Sequence, residues 1–462
     1  MVACFLFPIS VSAQYLRTSY FMESAQYRLQ LNPALAPERG YIHIPAVGNT
    51  SAMIRSNALG MSDVIDLLKN VDDDDYYTTD KFYNRLQGQN KAMATMASDL
   101  FAVGKWHGNS FISFNVSLRA DGDLSVTREL FSFMRDMKGM NTNDYSEYVR
   151  SIGGNRMNLN VFTEVGFGYT RIINDRWTIG GRVKGLLGLG NVDFKVKNAV
   201  VNTNLQGIDP DIDWTTAGPD ELMDASGTAT IDVDADLVTS FHGLQLNTNS
   251  DGYIDDVKFK VGRMGISGLG AAFDAGFAFK VTEDFTLSAA VTDLGFIRWA
   301  KGSTQVAHAN TEDLNFDAST PGDILRFTSV VGTGDALNLD MIRLTPDAQG
   351  AKARTTSLAS TMSLGGEYRV LDDKIRLGAL FTNHFARLEN EGELTFTVDY
   401  HPSSLVDLAL SYSPIMCGGK SLGIAVKAGP LFVGTDYMFM GNNTRCVNGL
   451  VGLSIPLGER EE

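Results

Sequence analysis

Residues 157–189, MNLNVFTEVGFGYTRIINDRWTIGGRVKGLLGL, alternate apolar and polar side chains along two runs of roughly 15 residues each, joined by one turn. In the first run Leu159, Val161, Val165, Phe167 and Tyr169 face one way, and Asn158, Asn160, Glu164, Gly166 and Gly168 the other. In the second, Trp177, Ile179, Val183, Leu187 and Leu189 alternate with Thr178, Gly180, Arg182, Lys184 and Gly188. A period of two means β-strands with one apolar face. Strands of soluble sandwiches usually stop at ~5–6 residues, whereas strands that cross a bilayer at a tilt need twice that. Long strands with an apolar face set against Gly, Asn and charge predict a wall with lipid outside and a polar lumen inside.

The pattern recurs. Strand-like segments fall at about 41–55, 95–107, 109–121, 157–172, 175–191, 265–281, 284–300, 356–370, 373–388, 393–401, 405–414, 420–428, 430–440 and 447–457. The fold class is therefore all-β: a transmembrane antiparallel barrel of about 14 strands, an even count as single-chain bacterial barrels require. Its connections sort by length. Tight turns are expected at Gly108-Asn109, Asn174-Asp175, Thr282-Glu283, Asp372-Asp373, Pro402-Ser403 and Gly429-Pro430, and they alternate with longer loops, the longest at 56–94, 122–156, 192–264 and 301–355. Short turns then lie at the periplasmic end and long loops outside. Two of these loops predict short helices. One is capped by Ser62, with Val64, Ile65, Leu67 and Leu68 on its apolar face; the other is capped by Thr127, with Leu130, Phe131, Met134 and Met137.

Composition removes other classes. A net charge of −15 offers no basic stripe for phosphates and excludes nucleic-acid binding. No apolar run of helical spanning length is present. Residues 1–13 are apolar and end in the small-x-small pattern Val11-Ser12-Ala13, which reads as a secretory signal peptide. Export leaves Cys417 and Cys446, on two loops of the same rim, and predicts a disulfide between them. Outer-membrane lipid and lipopolysaccharide are the expected surroundings.

Strand parity points Glu164, Arg182, Lys184, Glu367, Arg369, Lys374, Arg376 and His384 into the lumen, with Glu164 nearly opposite Lys184 as an ion pair. The loop Asn247-Thr248-Asn249-Ser250-Asp251-Gly252-Tyr253-Ile254-Asp255 places Asn247, Asn249, Asp251 and Asp255 at the spacing of calcium ligands, but Lys258 stands where the bidentate carboxylate belongs. No other cofactor is expected. The sequence contains no nucleophile elbow, HExxH, CxxC or phosphate-binding glycine loop, so the expectation is a protein that is not an enzyme.

Leu31-Asn32-Pro33-Ala34-Leu35 near the start, the Thr-Asp-Leu-Gly-Phe-Ile run at 292–297 and the strand layout together resemble the FadL-type outer-membrane channels for hydrophobic compounds. The likeness is closer still to an outer-membrane family related to them. It implies that residues 14–40, centred on Asn32, Pro33 and Ala34, form a hatch in the lumen of a barrel made by 41–462. It also implies a passive channel or binding barrel for a hydrophobic or amphipathic solute. The alternative is a PorV-like, non-transporting barrel that serves as scaffold or shuttle for surface or secreted proteins.

Overall fold

The computed structural model describes residues 16–45, 47–70, 74–139, 146–209, 219–310, 315–331, 342–385, 390–416, 419–437 and 445–460. Fourteen antiparallel strands close into a barrel. We number them in chain order. β1 comes in two pieces, Arg39–His43 and Thr50–Ser56, followed by β2 Gln89–His107, β3 Ser110–Thr127, β4 Asn155–Ile172 and β5 Trp177–Gln206. Next are β6 Gly268–Lys280, β7 Phe285–Trp299, β8 Ser360–Val370, β9 Ile375–Phe385 and β10 Asn390–Ser403. β11 Val406–Met416, β12 Gly419–Ala428, β13 Leu431–Thr435 and β14 Cys446–Glu459 complete the wall. Each strand pairs with its sequence neighbours, and both pieces of β1 pair with β14, which closes the ring.

Closure gives every strand partners on both sides, as backbone in hydrocarbon requires. The outward face carries exposed Phe167, Val183, Leu269, Phe273, Phe296, Leu377, Phe381, Val398, Tyr400, Val433 and Ile455. So continuous an apolar surface would drive a soluble monomer to aggregate; here it is the lipid face. Among the described residues no helix is long and apolar enough to cross a membrane.

All the short turns lie at one end, with the start of β1 and the end of β14. Gly108 and Gly429 take the left-handed φ values of +53° and +58° that two-residue turns demand. Between β8 and β9 three non-glycine residues, Leu371, Asp372 and Asp373, do so instead. Lys374 is exposed in that turn, not in the lumen where parity placed it. The turn after β10 falls at 404–405, two residues beyond the predicted Pro402-Ser403.

The expected unbroken first strand at 41–55 is interrupted over 44–49. Pro45 has no N–H for the ladder. The backbone instead folds on itself, with the Gly48 N–H donating to Ile44 O at 2.7 Å. A Cβ at 48 would lie 2.2 Å from that of His43, so only glycine fits.

The external loops hold far more structure than two helices. β5 continues to Gln206, well past the predicted end at 191, and pairs there with Ser226–Phe241. That strand in turn pairs with Thr304–Asn310 and Asn315–Asp317. Its buried Ala229, Ile231, Val233, Ala235 and Leu237 alternate with Thr230, Asp232, Asp234 and Asp236, a pattern present in the sequence. Helices Met61–Lys69, Arg128–Gly139 and Pro321–Val331 accompany this sheet. The first has Gly60 at its N-cap, whose N–H donates to the Asp63 carboxylate at 2.9 Å, so Ser62 is not its cap. The second follows Thr127, whose hydroxyl donates to Asn155 Oδ1 at 3.2 Å, and buries Leu130, Phe133, Met134 and Met137, spaced i, i+3, i+4, i+7, whereas Phe131, expected on that face, is only partly buried. With Tyr76, Tyr77, Phe82, Val201, Ile231 and Phe327 these residues make an apolar core outside the membrane, a cap over the barrel mouth.

Candidate functional site

The lumen holds a plug, an ion cluster and a chamber. Residues 16–36 fold inside the barrel as two short 3-10 turns, Arg17–Ser19 and Gln26–Gln30, with Tyr20, Met22, Ala25 and Asn32 fully buried. A segment without strand alternation cannot join the wall, so its polar groups bond the wall's inner face. Thr18 N and Oγ1 donate to Asp436 Oδ1 at 2.8 and 2.7 Å, and Ser24 Oγ donates to Asp407 at 2.7 Å. Gln26 Nε2 donates to Ser454 Oγ at 2.8 Å. Arg17 pairs with Glu393, and Glu23 lies 2.8 Å from Arg369 and 3.1 Å from Arg376.

Asn32-Pro33-Ala34 is the fastening on the opposite wall. Asn32 Oδ1 accepts the Ala34 N–H at 2.9 Å, an Asx turn, while Nδ2 donates to Tyr20 Oη at 3.1 Å and Ala289 O of β7 at 3.3 Å. Pro33 O accepts from Thr170 Oγ1 of β4 at 2.6 Å. Glycines of the inner face make room for this packing. A Cβ at Gly276 would stand 2.1 Å from Asn32 Oδ1, at Gly378 2.2 Å from the Phe21 ring, and at Gly452 1.6 Å from Tyr27 Oη. The plug is keyed into the wall.

Glu164, Arg182 and Lys184 meet inside the barrel, but not as the simple pair expected. Lys184 faces Gly166 in register and Glu164 faces Leu186, leaving Nζ 3.8 Å from the Glu164 carboxylate. Lys184 lies closer to Asp293, 2.6 Å, and Asp274, 2.7 Å. Arg182 reaches Glu164 at 3.2 Å and Asp274 at 3.4 Å; Arg119 bridges Glu164 at 3.0 Å and Asp293 at 2.8 Å. Three cations and three carboxylates thus balance, as buried charge must. Asp293 enters through a bulge: β6 and β7 pair Phe273 with Leu294 and Ala275 with Val291, leaving Asp274 opposite two residues. Asp293 takes φ +60° and donates its N–H to Asp274 Oδ1 at 2.7 Å.

Between plug and cluster lies a polar chamber lined by Arg17, Arg119, Asp121, Asp293, His384 and Glu393 among others. His384 Nδ1 lies 3.0 Å from Thr361 Oγ1. Glu367, Arg369 and Arg376 sit lower, where Arg369 bonds Glu367 at 3.2 Å and Arg376 lies 3.5 Å from Asp399. Arg119 and Asp274 occupy inward positions of strands that alternation marks, so parity could have found both; Asp293 is hidden by the bulge. Alternation alone does not connect the plug's anchors Glu393, Asp407 and Asp436 to a distant segment.

The remaining candidates lie elsewhere. Asn247 and Asn249 belong to an external hairpin of Leu244–Thr248 and Ile254–Phe259, where Asn249 Oδ1 accepts the N–H groups of Asp251 and Tyr253 at 3.1 and 3.0 Å. Asn247 Nδ2 donates to Asp256 at 3.3 Å, and Asp255 is exposed. Among the described residues no group of three or more His, Cys, Asp or Glu is arranged to hold a metal. Cys446 is buried at the start of β14; Cys417 and residues 1–13 lie outside the described residues.

A closed, lipid-faced barrel with a folded segment in its lumen defines the class: a plugged transmembrane β-barrel of the outer-membrane type. The chain belongs to a family of unknown function, DUF5723, whose model matches residues 33–436. No curated protein matches it by sequence. Among solved structures it is similar to the toluene transporter TodX of P. putida, at 9% identity over 94% of each chain with a TM-score of 0.42. It is likewise similar to a FadL homologue of Pseudomonas aeruginosa, at 11% identity over 96% of this chain and 98% of the other with a TM-score of 0.40. The translocator domain of the autotransporter NalP from Neisseria meningitidis matches at 8% identity over 96% and 98%, with a TM-score of 0.34.

Proposed function

We propose that this protein is an outer-membrane binding barrel or passive channel for hydrophobic or amphipathic solutes, held shut at rest by residues 16–36 acting as a hatch. The observation that carries the reading is the burial of residues 16–36 in the lumen, bonded to strands on both sides and seated against inner-face glycines. A wide aqueous pore has no use for such a stopper. The external cap supports an apolar cargo: its core gathers Tyr76, Tyr77, Phe82, Phe133, Met134 and Met137, and methionine repacks easily around varied apolar shapes. A scaffold for surface or secreted proteins is the second reading, favoured by the size of the folded cap.

The test removes the hatch. The chain lacking residues 14–36, reconstituted in planar bilayers, is expected to show higher single-channel conductance than the full chain. In proteoliposomes the full chain is expected to accelerate entry of a small aromatic hydrocarbon relative to empty vesicles. Unchanged conductance would count against the hatch. Absent uptake together with a stoichiometric protein co-purifying from native membranes would favour the scaffold.

A further inference from the structure

One sector of the outer rim is basic, against the grain of a chain of net charge −15. β6 begins beside the end of β7, with Gly268 opposite Trp299, and the Ala300 N–H donates to Ser267 O at 2.9 Å. Residues 260–267 and 298–301 therefore converge at one place on the rim. Lys260, Arg263, Arg298 and Lys301 all stand there exposed. None of the four has an ion-pair partner among the described residues. Other cap lysines are neutralised by neighbours: Lys197 lies 2.6 Å from Asp236, and Lys258 2.9 Å from Asp256.

Height decides what this sector faces. Phe285 and Arg298 share β7, and about 13 steps of ~3.3 Å at a tilt of ~40° raise Arg298 roughly 33 Å above Phe285. An outer-membrane barrel's apolar band is ~25 Å tall, so the four cations sit at the level of the outer headgroups. Leu269 stands beside Arg298 in register and is exposed, and Phe296, two residues lower on the same face of β7, is exposed as well. Met264 and Ile266 are exposed on the same segment as Arg263, which extends the apolar surface up to the charges.

From these positions we infer that Lys260, Arg263, Arg298 and Lys301 form a binding site for the phosphorylated headgroup of an outer-leaflet lipid, whose acyl chains lie on Leu269, Phe296, Met264 and Ile266. The inference rests on the outer-membrane location proposed above. Clustered cations over an apolar surface match a ligand with anionic head and hydrocarbon tail, and each basic residue at a membrane surface contributes about fivefold in affinity.

The experiment uses the full chain in nanodiscs of neutral phosphatidylcholine, titrated with diphosphoryl lipid A and read by native mass spectrometry. The triple variant R263Q/R298Q/K301Q is expected to bind roughly a hundredfold more weakly, and K197Q/K258Q, which removes paired lysines of the same cap, to bind as the unchanged chain does. Heat-modifiable gel migration establishes that the variants are folded; should the triple variant not fold, R298Q alone is expected to lose about fivefold. Equal affinity of the triple variant and the unchanged chain overturns the site. So does equal affinity for dephosphorylated lipid A, or for inorganic phosphate, which would make it a free-phosphate site. Cell fractionation is run separately: binding intact in a chain found outside the outer membrane overturns the location, while binding lost in a chain found within it overturns the site.

Discussion

Lys184 shows what a single inward charge demands of a lipid-embedded wall. Its ammonium is almost completely buried among Asp274, Asp293 and Glu164. Lys184→Met should leave the carboxylates in excess and cost about 3–5 kcal/mol. Adding Asp274→Asn should restore part of that loss, and the two unfolding titrations with their double-mutant coupling measure it; a coupling near zero would mean the cluster does not act as a unit. Gly452 makes the opposite demand, for absence of a side chain. Gly452→Ala would thrust a methyl onto the Tyr27 hydroxyl, so the plug should shift and trypsin should gain access to Arg17 and Arg28. Gly458→Ala, with open space around it, is the control and should stay protected. At this scale the sequence was partly legible. Parity separates Arg182 and Lys184 from Val183 by period alone, but it cannot say that Lys184 prefers Asp293 to Glu164, because that choice depends on register across three strands and on a bulge.

Elements were legible in proportion to how regular their surroundings are. Lipid on one side and lumen on the other impose a strict period of two, so most of the wall strands could be placed from the sequence. β1 was placed, but its break over 44–49 was not foreseen, because Pro45 and Gly48 interrupt the ladder where the chain passes His43. The cap strand Ser226–Phe241 was overlooked despite clean alternation, since its outward Asp residues look like those of a solvated loop. The helix Arg128–Gly139 is legible from Leu130, Met134 and Met137, but its most buried residue is Phe133 rather than the Phe131 expected on that face. Phe133→Ala is expected to cost about 3–5 kcal/mol, confined to the cap. Limited proteolysis should then cut within residues 128–139 while the barrel keeps its heat-modifiable migration. Loss of that migration would show that cap and barrel fold as one unit.

The whole molecule brings together what is remote in sequence: Arg17 reaches Glu393, and Thr18 reaches Asp436. Such pairings leave no local trace, which is why the plug could be suspected from likeness but its anchors could not be named. The proposed Cys417–Cys446 disulfide belongs to this scale, since it would tie the loop after β11 to the start of β14. In the non-reduced protein without residues 1–13, and so without Cys4, alkylation before reduction should modify neither cysteine; two alkylated thiols would exclude the bridge. The plug's position also has a temporal meaning. Tyr27 rests behind Gly452 on β14, the strand that closes the ring against both pieces of β1. A segment seated on so many strands, and behind the strand that seals the ring, is expected to be in place before the last seam zips. Order of assembly is thereby written into the wall. A peptide of residues 16–38, added to the chain lacking them, should become protease-protected when present during refolding and stay exposed when added after the barrel has closed.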